Sequence, residues 1–410
     1  MPATDRSGRW FLLALLGVPL LLLATAVAFG TWRDSWAWLN GAPYPPVFSD
    51  LQQVTYTADC LRADPTWTLA SATCDPFGRA FNYPSVWVQA FAALGLGADA
   101  TRAVGTTFAL LLVVALLVVV FWFRAGLTDA FGLVTVALLM VSPPVWLAIH
   151  RGSTDSLIIA LLVLSVGLSR LRQRIPSVVA IVLTVALKLF AIGSFASVVA
   201  DPTRRRINVV VGVLGVVGVA WILHGELALI SSRTPRTDNM SFGVSVLPIS
   251  FQTSLGSLAG NGKVLGGLAA VSFLMSCAAV WLVNRLTALR GFTNRLRDWL
   301  VQDRLNWLVL LTFGGAFIVA YGVGSSYDYR LTLVIPFALV FLSATGTARQ
   351  AGRTFGLVLL LLVLASGHIR TPGHLDDWVW LLMVPYLLLL MAGVIMRLRG
   401  WSGRFWELLQ

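Results

Sequence analysis

Runs of about 20 apolar residues alternate along this chain with polar turns and short basic clusters, a rhythm that predicts a bundle of membrane-crossing helices. The runs fall at 10–30, 101–123, 127–149, 156–169, 207–230, 263–283, 305–323, 331–343, 354–366 and 378–396, which is ten expected spans. Several clusters between them are rich in arginine: Arg170, Arg172 and Arg174; Arg204, Arg205 and Arg206; Arg285 to Arg304; Arg397 and Arg399. Lys and Arg near span ends are held on the cytoplasmic side. The expected topology therefore has both termini in the cytoplasm of a multi-pass cell-membrane (inner-membrane) protein, with the remaining turns outside. The first run follows Arg6 and Arg9. At about 20 residues it is longer than a signal-peptide core and is expected to be a retained helix.

Two stretches break the rhythm. Residues 31–100 form a long polar loop, expected to be extracytoplasmic, with Asp50, Asp59, Asp64, Asp75, Arg62 and Arg79. Its last part, 83–96, is apolar but too short to cross and begins beside a proline, which suggests an interfacial helix. Cys60 and Cys74 share this loop, so a disulfide between them is expected outside the cytoplasm. The second stretch, 175–203, is mostly apolar and has basic clusters at both ends. One crossing would strand Arg204–Arg206 outside, and two need about 40 residues. A broken or re-entrant hairpin with Lys188 near its tip resolves the conflict, provided protein buries the irregular backbone.

Composition narrows the class. The chain is 57% hydrophobic and 12% charged, against about 25% charged in soluble domains. The expectation is an all-α, polytopic transmembrane bundle in one integral membrane domain over 1–410. The net charge of +12 sits in dispersed clusters, which excludes a nucleic-acid patch and points to topology and anionic membrane lipids. No Walker motif, no HExxH and no Cys- or His-rich metal pattern occurs, so no ATP-driven pump or zinc peptidase is indicated and no metal or cofactor is expected.

The candidate chemistry lies in the polar turns. Asp50 follows a Pro-containing turn, and a carboxylate there can take a proton from a hydroxyl; a helix N-cap is the simpler role for SDLQQ. In His150–Asp155, Arg151 can bind phosphate, while Asp155 can bind a sugar hydroxyl or cap the next helix. Lys188 is one of two lysines, and its apolar setting calls for a phosphate or a buried Asp as partner. In the turn SSYDYR, Arg330 can grip a phosphate while Asp328 orients it or a sugar, or the two form an internal salt bridge.

The order of these pieces resembles the GT-C superfamily of membrane glycosyltransferases. It is most similar to the polyprenol-phosphate-mannose-dependent mannosyltransferases of glycosyltransferase family 87. The matching segments are FSDLQQVTY, FNYPSVW, RGSTDSLIIALL, ALKLFAI and YDYRL. The resemblance implies Asp50 as catalytic base. It places Arg151, Lys188 and Arg330 on the donor phosphate, and Asp155, Asp328, Tyr83 and Tyr327 on the sugar or acceptor. The late turn departs from the family in carrying no His. The expected function is transfer of a hexose or pentose from a polyprenyl-phosphate donor, which is a substrate rather than a cofactor, to a glycolipid, glycan or protein acceptor. The displacement would invert the anomeric centre. The rival expectations are a lipid or solute transporter and a noncatalytic assembly subunit.

Overall fold

The computed structural model describes residues 47–68, 74–202, 205–233, 241–242, 262–285, 287–323, 326–365 and 375–400. The expected first span at 10–30 lies outside them. The described residues are mostly helical, with loops such as 74–84 and a two-stranded antiparallel ladder, β1 (Ser241–Phe242) with β2 (Ser326–Tyr327). Five described helical stretches are long and apolar enough to cross a bilayer, or six if one bent pair counts as a span. This is the architecture of a helical membrane protein, with fewer long spans than the ten expected. Several apolar runs are short or broken. The run at 156–169 becomes a helix of 16 residues, Asp155–Arg170. The run at 127–149 is interrupted between Ala130–Met140 and Pro143–Arg151, where Pro143 and Pro144 open the second helix, but together they still make one crossing-length stretch, Ala130–Arg151.

In chain order, α1 is Ser49–Ala63, α2 Ser85–Ala93, α3 Thr101–Phe123, α4 Ala130–Met140, α5 Pro143–Arg151, α6 Asp155–Arg170 and α7 Arg174–Leu187. Then follow a 3-10 helix (Leu189–Ser194), α8 Phe195–Ala200, α9 Arg205–Arg233, α10 Gly262–Asn284, α11 Thr287–Gln302 and α12 Arg304–Val309. A π-turn (Leu310–Gly314) leads to α13 Gly315–Val323. After β2 come a 3-10 helix (Asp328–Leu333), α14 Val334–Leu342, α15 Arg349–Ala365 and α16 Leu375–Leu398. The expected basic loop between Asn284 and Arg304 is therefore mostly helix. Leu296 and Leu300 of α11 are fully buried while Arg295 is exposed, so one apolar face docks it on the bundle.

All nine residues of α14 are buried, so it forms the centre of the core. The periphery is the reverse. On α9, Ile207, Val210, Leu214, Val217 and Trp221 are each more than half exposed. Their spacing of three and four makes one apolar stripe, which suits lipid and would be a liability in water.

The segment 174–201 climbs and returns. Ascending α7 has 14 residues, a rise of about 21 Å. The descent has a six-residue 3-10 helix and six residues of α8, also about 21 Å because 3-10 turns rise more per residue. Its end, Asp201, pairs with Arg304 at 2.8 Å, and Arg304 also reaches Ser169 at 3.5 Å beside the start of α7. Lys188 is thus the apex, in extended conformation with φ −152° and ψ 114°. The descent lies backbone to backbone on the π-turn region. A Cβ on Gly193 would fall 1.9 Å from the Gly315 carbonyl oxygen, so glycine is required there. Ser194 donates to the Thr312 carbonyl at 2.8 Å.

Candidate active site

Two helix ends meet at the start of α1. Phe48, with φ 65°, donates its backbone N–H to the His150 carbonyl at 2.7 Å. Gly152 caps α5 with φ +60°, and a Cβ there would press on Phe48 at 3.0 Å. This joint sets Asp50, in the first turn of α1, against Arg151, in the last turn of α5. Arg151 donates through Nε to Asp50 Oδ2 at 3.0 Å and through Nη2 to Oδ1 at 2.5 Å, a bidentate pair. The Asp50 side chain is 6% exposed.

Arg79 closes the other side. Its Nη1 lies 3.7 Å from Asp50 Oδ1, its Nη2 donates to the Ser49 carbonyl at 2.6 Å, and it grips Asp75 at 2.9 and 2.7 Å. Burial works against the Arg79 charge, but the hydrogen bonds and charge of Asp75, then the charge of Asp50, outweigh it and raise its pKa. Loop 74–84 is further tied down by Gln53 donating to the Ala80 carbonyl at 2.7 Å. A disulfide joins Cys60 to Cys74.

Asp155 anchors the second half of the cluster from the first turn of α6. Its Oδ1 is 2.8 Å from Lys188 Nζ, and its Oδ2 accepts from Arg330 Nε at 3.2 Å. The Lys188 ammonium also sits 4.6 Å from the centre of the Tyr83 ring, and Arg330 lies over Phe190 at 5.2 Å. The break that presents Lys188 is itself satisfied: Trp87 Nε1 donates to the Leu187 carbonyl at 3.0 Å. Asp155 thereby meets the buried cation's need for a partner.

Tyr83 links the two halves. Its hydroxyl is pushed well above its ordinary pKa, first by burial and then by the negative charges of Asp50 and Asp155, which Arg151 and Arg79 offset in part. It stays a protonated donor. Among the described residues the cluster brings Arg79, Arg151, Lys188 and Arg330 together with Asp50, Asp75 and Asp155. The hydroxyls of Ser49, Thr154 and Ser156, which flank the two inner carboxylates in sequence, are buried and make no hydrogen bond among the described residues. Buried orphans of this kind are uncommon outside sites that act on a ligand.

Asp50, Arg151, Asp155, Lys188, Arg330 and Tyr83 thus gather at one end of the bundle, from parts of the chain up to 280 residues apart. The side chains of Asp328 and Tyr327 lie outside the described residues; Tyr327 ends β2, and Asp328 opens the 3-10 helix that carries Arg330. Arg79 and Asp75 belong to the cluster although neither stood out in the sequence, because an Arg and an Asp four apart in a polar loop look like any solvated pair. Glu226 of α9 was also missed. It accepts from the Ser85 N–H at 2.9 Å and from the Ser85 hydroxyl, capping α2 beside the cluster. Among the described residues no three His, Cys, Asp or Glu side chains form a metal-binding group. Comparison of the chain with protein-family models, curated proteins and solved structures gives no match.

Proposed function

We propose that this chain is a membrane glycosyltransferase that takes a sugar from a polyprenyl-phosphate donor at the extracytoplasmic face. In this reading it has about ten spans, with both termini in the cytoplasm. The supporting observation is the gathering of Asp50, Arg151, Lys188 and Arg330 around Tyr83. An anionic donor complements the three cations. Lys188 and Arg330 hold the phosphate, and Asp155 is the internal anion that neutralises them between turnovers. Asp50 accepts the proton of the acceptor hydroxyl as its oxygen bonds to the anomeric carbon. The bond from that carbon to the phosphate oxygen breaks, and its electron pair leaves on the lipid phosphate, held by the cations. One displacement inverts the centre.

The bidentate contact with Arg151 makes Asp50 a weak base as it stands. The donor phosphate therefore has a second task, drawing Arg151 away from Asp50. Asp50→Asn, assayed in membranes with polyprenyl-phosphate-linked sugar, is expected to lower turnover on the order of 100-fold while donor binding stays nearly intact. Full activity in that variant refutes the base assignment. The broken helix at Lys188 also favours a transporter reading, since such breaks line translocation sites. Counterflow of labelled lipid-linked sugar across proteoliposomes, without formation of a glycosylated product, would decide for transport.

A further inference from the structure

A second polar concavity lies at the other end of the bundle. Helix α3 begins at Thr101, whose hydroxyl meets Thr55 of α1 at 2.7 Å. It runs 23 residues to Phe123, about 35 Å away. There, between the end of α3, the junction of α11 with α12, and the turn from α14 to α15, is a cavity of about 520 Å³. That is the size of a small-molecule site.

Its wall is unlike an unfilled packing defect. Asn306 is 6% exposed and lines the cavity, yet its amide makes no hydrogen bond within the described residues. The amide opens onto the cavity, where the hydroxyls of a ligand can take the place of water. Two indoles, Trp122 from the last turn of α3 and Trp299 from α11, contribute apolar wall.

The charges select the ligand. The lining holds Arg295 against Asp298 and Asp303, so it does not favour a phosphate or carboxylate. Asp303 already caps α12 through the Leu305 N–H at 2.8 Å, and Asp298 lies 3.3 Å from Arg297. An organic ammonium would use the carboxylates but offers no acceptor to the amide N–H groups of Asn306 and Gln302. A polyol offers donors and acceptors together, and a pyranose ring adds a C–H face that packs on indole.

We propose that this cavity is a second ligand site, distinct from the Asp50 cluster, and that it binds a saccharide of one or two rings. The same chemistry is offered by the headgroup of a glycolipid in the adjoining leaflet or by a free sugar. The site stands whether or not the Asp50 cluster transfers a sugar.

The test uses the full chain in nanodiscs. One arm titrates free mannose and maltose into phosphatidylglycerol discs and follows binding by saturation-transfer NMR. The other follows retention of glucosyl-diacylglycerol by native mass spectrometry against discs lacking it. Saturable binding is expected in one arm, which identifies the source. Asn306→Leu should weaken it about tenfold, the equivalent of one hydrogen-bonded amide. Gln302→Leu, at an exposed position, should weaken it with no risk to folding, and Asp50→Asn should leave it unchanged. No saturable binding in either arm overturns the proposal. So does binding that survives Gln302→Leu and Asn306→Leu, binding that is lost in Asp50→Asn, or saturation by ethanolamine alone.

Discussion

Asp155→Asn is the most informative perturbation of the Asp50 end. The asparagine keeps the shape and one acceptor oxygen but removes the charge that neutralises Lys188 and Arg330. The three side chains are 2%, 8% and 17% exposed, so solvent can screen little of the loss. Breaking a buried ion pair typically costs about 3–5 kcal/mol. The cost here is smaller, because Lys188 keeps the Tyr83 face and Arg330 keeps Phe190, each worth roughly 1 kcal/mol. A loss of about 2–3 kcal/mol remains. Equilibrium unfolding in mixed micelles, followed by far-ultraviolet circular dichroism, measures it.

The same substitution repeated in a Lys188→Met background removes beforehand one of the two cations that Asp155 contacts. The penalty should then shrink by about 1–2 kcal/mol. An Asp155→Asn protein within about 0.5 kcal/mol of wild type, or an equal penalty in both backgrounds, refutes the electrostatic account. The phosphate reading has its own control. Inorganic phosphate should restore stability to Asp155→Asn with saturation, by about 2.7 kcal/mol at 100 times its Kd, and should do less for wild type, where the carboxylate competes. Destabilisation without rescue would leave the ion-pair argument intact and remove the phosphate.

The disulfide between Cys60 and Cys74 closes a loop with a sequence separation of 14; reducing it should cost roughly 3 kcal/mol in the chain-entropy account, and two free thiols in unreduced, alkylated protein by mass spectrometry would contradict it. Glu226→Ala should release the cap on α2 and cost about 1–2 kcal/mol, seen as faster amide exchange over Ser85–Ala93 with no change in α6. For Asp59, burial opposes the charge, but the Ala98 N–H and then Arg62 outweigh it and lower its pKa. Its stabilisation is therefore present above the unfolded-state pKa of about 3.9 and is lost as pH falls through the lower folded value; Asp59→Asn should flatten that acid limb, and an unchanged pH profile would refute the assignment.

Three features of the fold were legible in the sequence because each rests on a rule that acts along the chain. The break at Lys188 followed from chain length against charge: too many apolar residues for one crossing that keeps Arg204–Arg206 inside, too few for two. Descent by 3-10 helix, which makes the two limbs equal in rise, is a finer consequence of the same shortage. The helix Thr101–Phe123 was bounded by its apolar run. Arg151 and Asp155 stood out because charges in a turn between apolar runs need a reason. What the sequence left open is pairing between distant parts. Asp50 and Arg151 are 101 positions apart, and Asp155 and Arg330 are 175 apart; no local pattern states that they meet. Among the described residues fewer long spans than expected appear, for a related reason. A buried helix need not be long when neighbours satisfy its ends, and α14 is nine residues set on a 3-10 turn.

The same distinction explains why the ionisable groups divide as they do. Charges that sit at span ends, such as Arg170 and Arg174, follow from where the helices stop and are free to vary with topology. The carboxylates of Asp50 and Asp155 differ, because each is buried and each is placed by a helix start held against another element. Moving either by one residue would turn it about 100° around its helix and break its contacts, Asp50 with Arg151 and Asp155 with Lys188 and Arg330. Such a cluster is costly to keep and yields little net stability compared with well-packed apolar side chains. Its persistence in a bundle that has apolar residues to spare is best explained by a ligand that exchanges with those charges. The acidic partners would then be temporary occupants of the positions where the ligand's own anion sits.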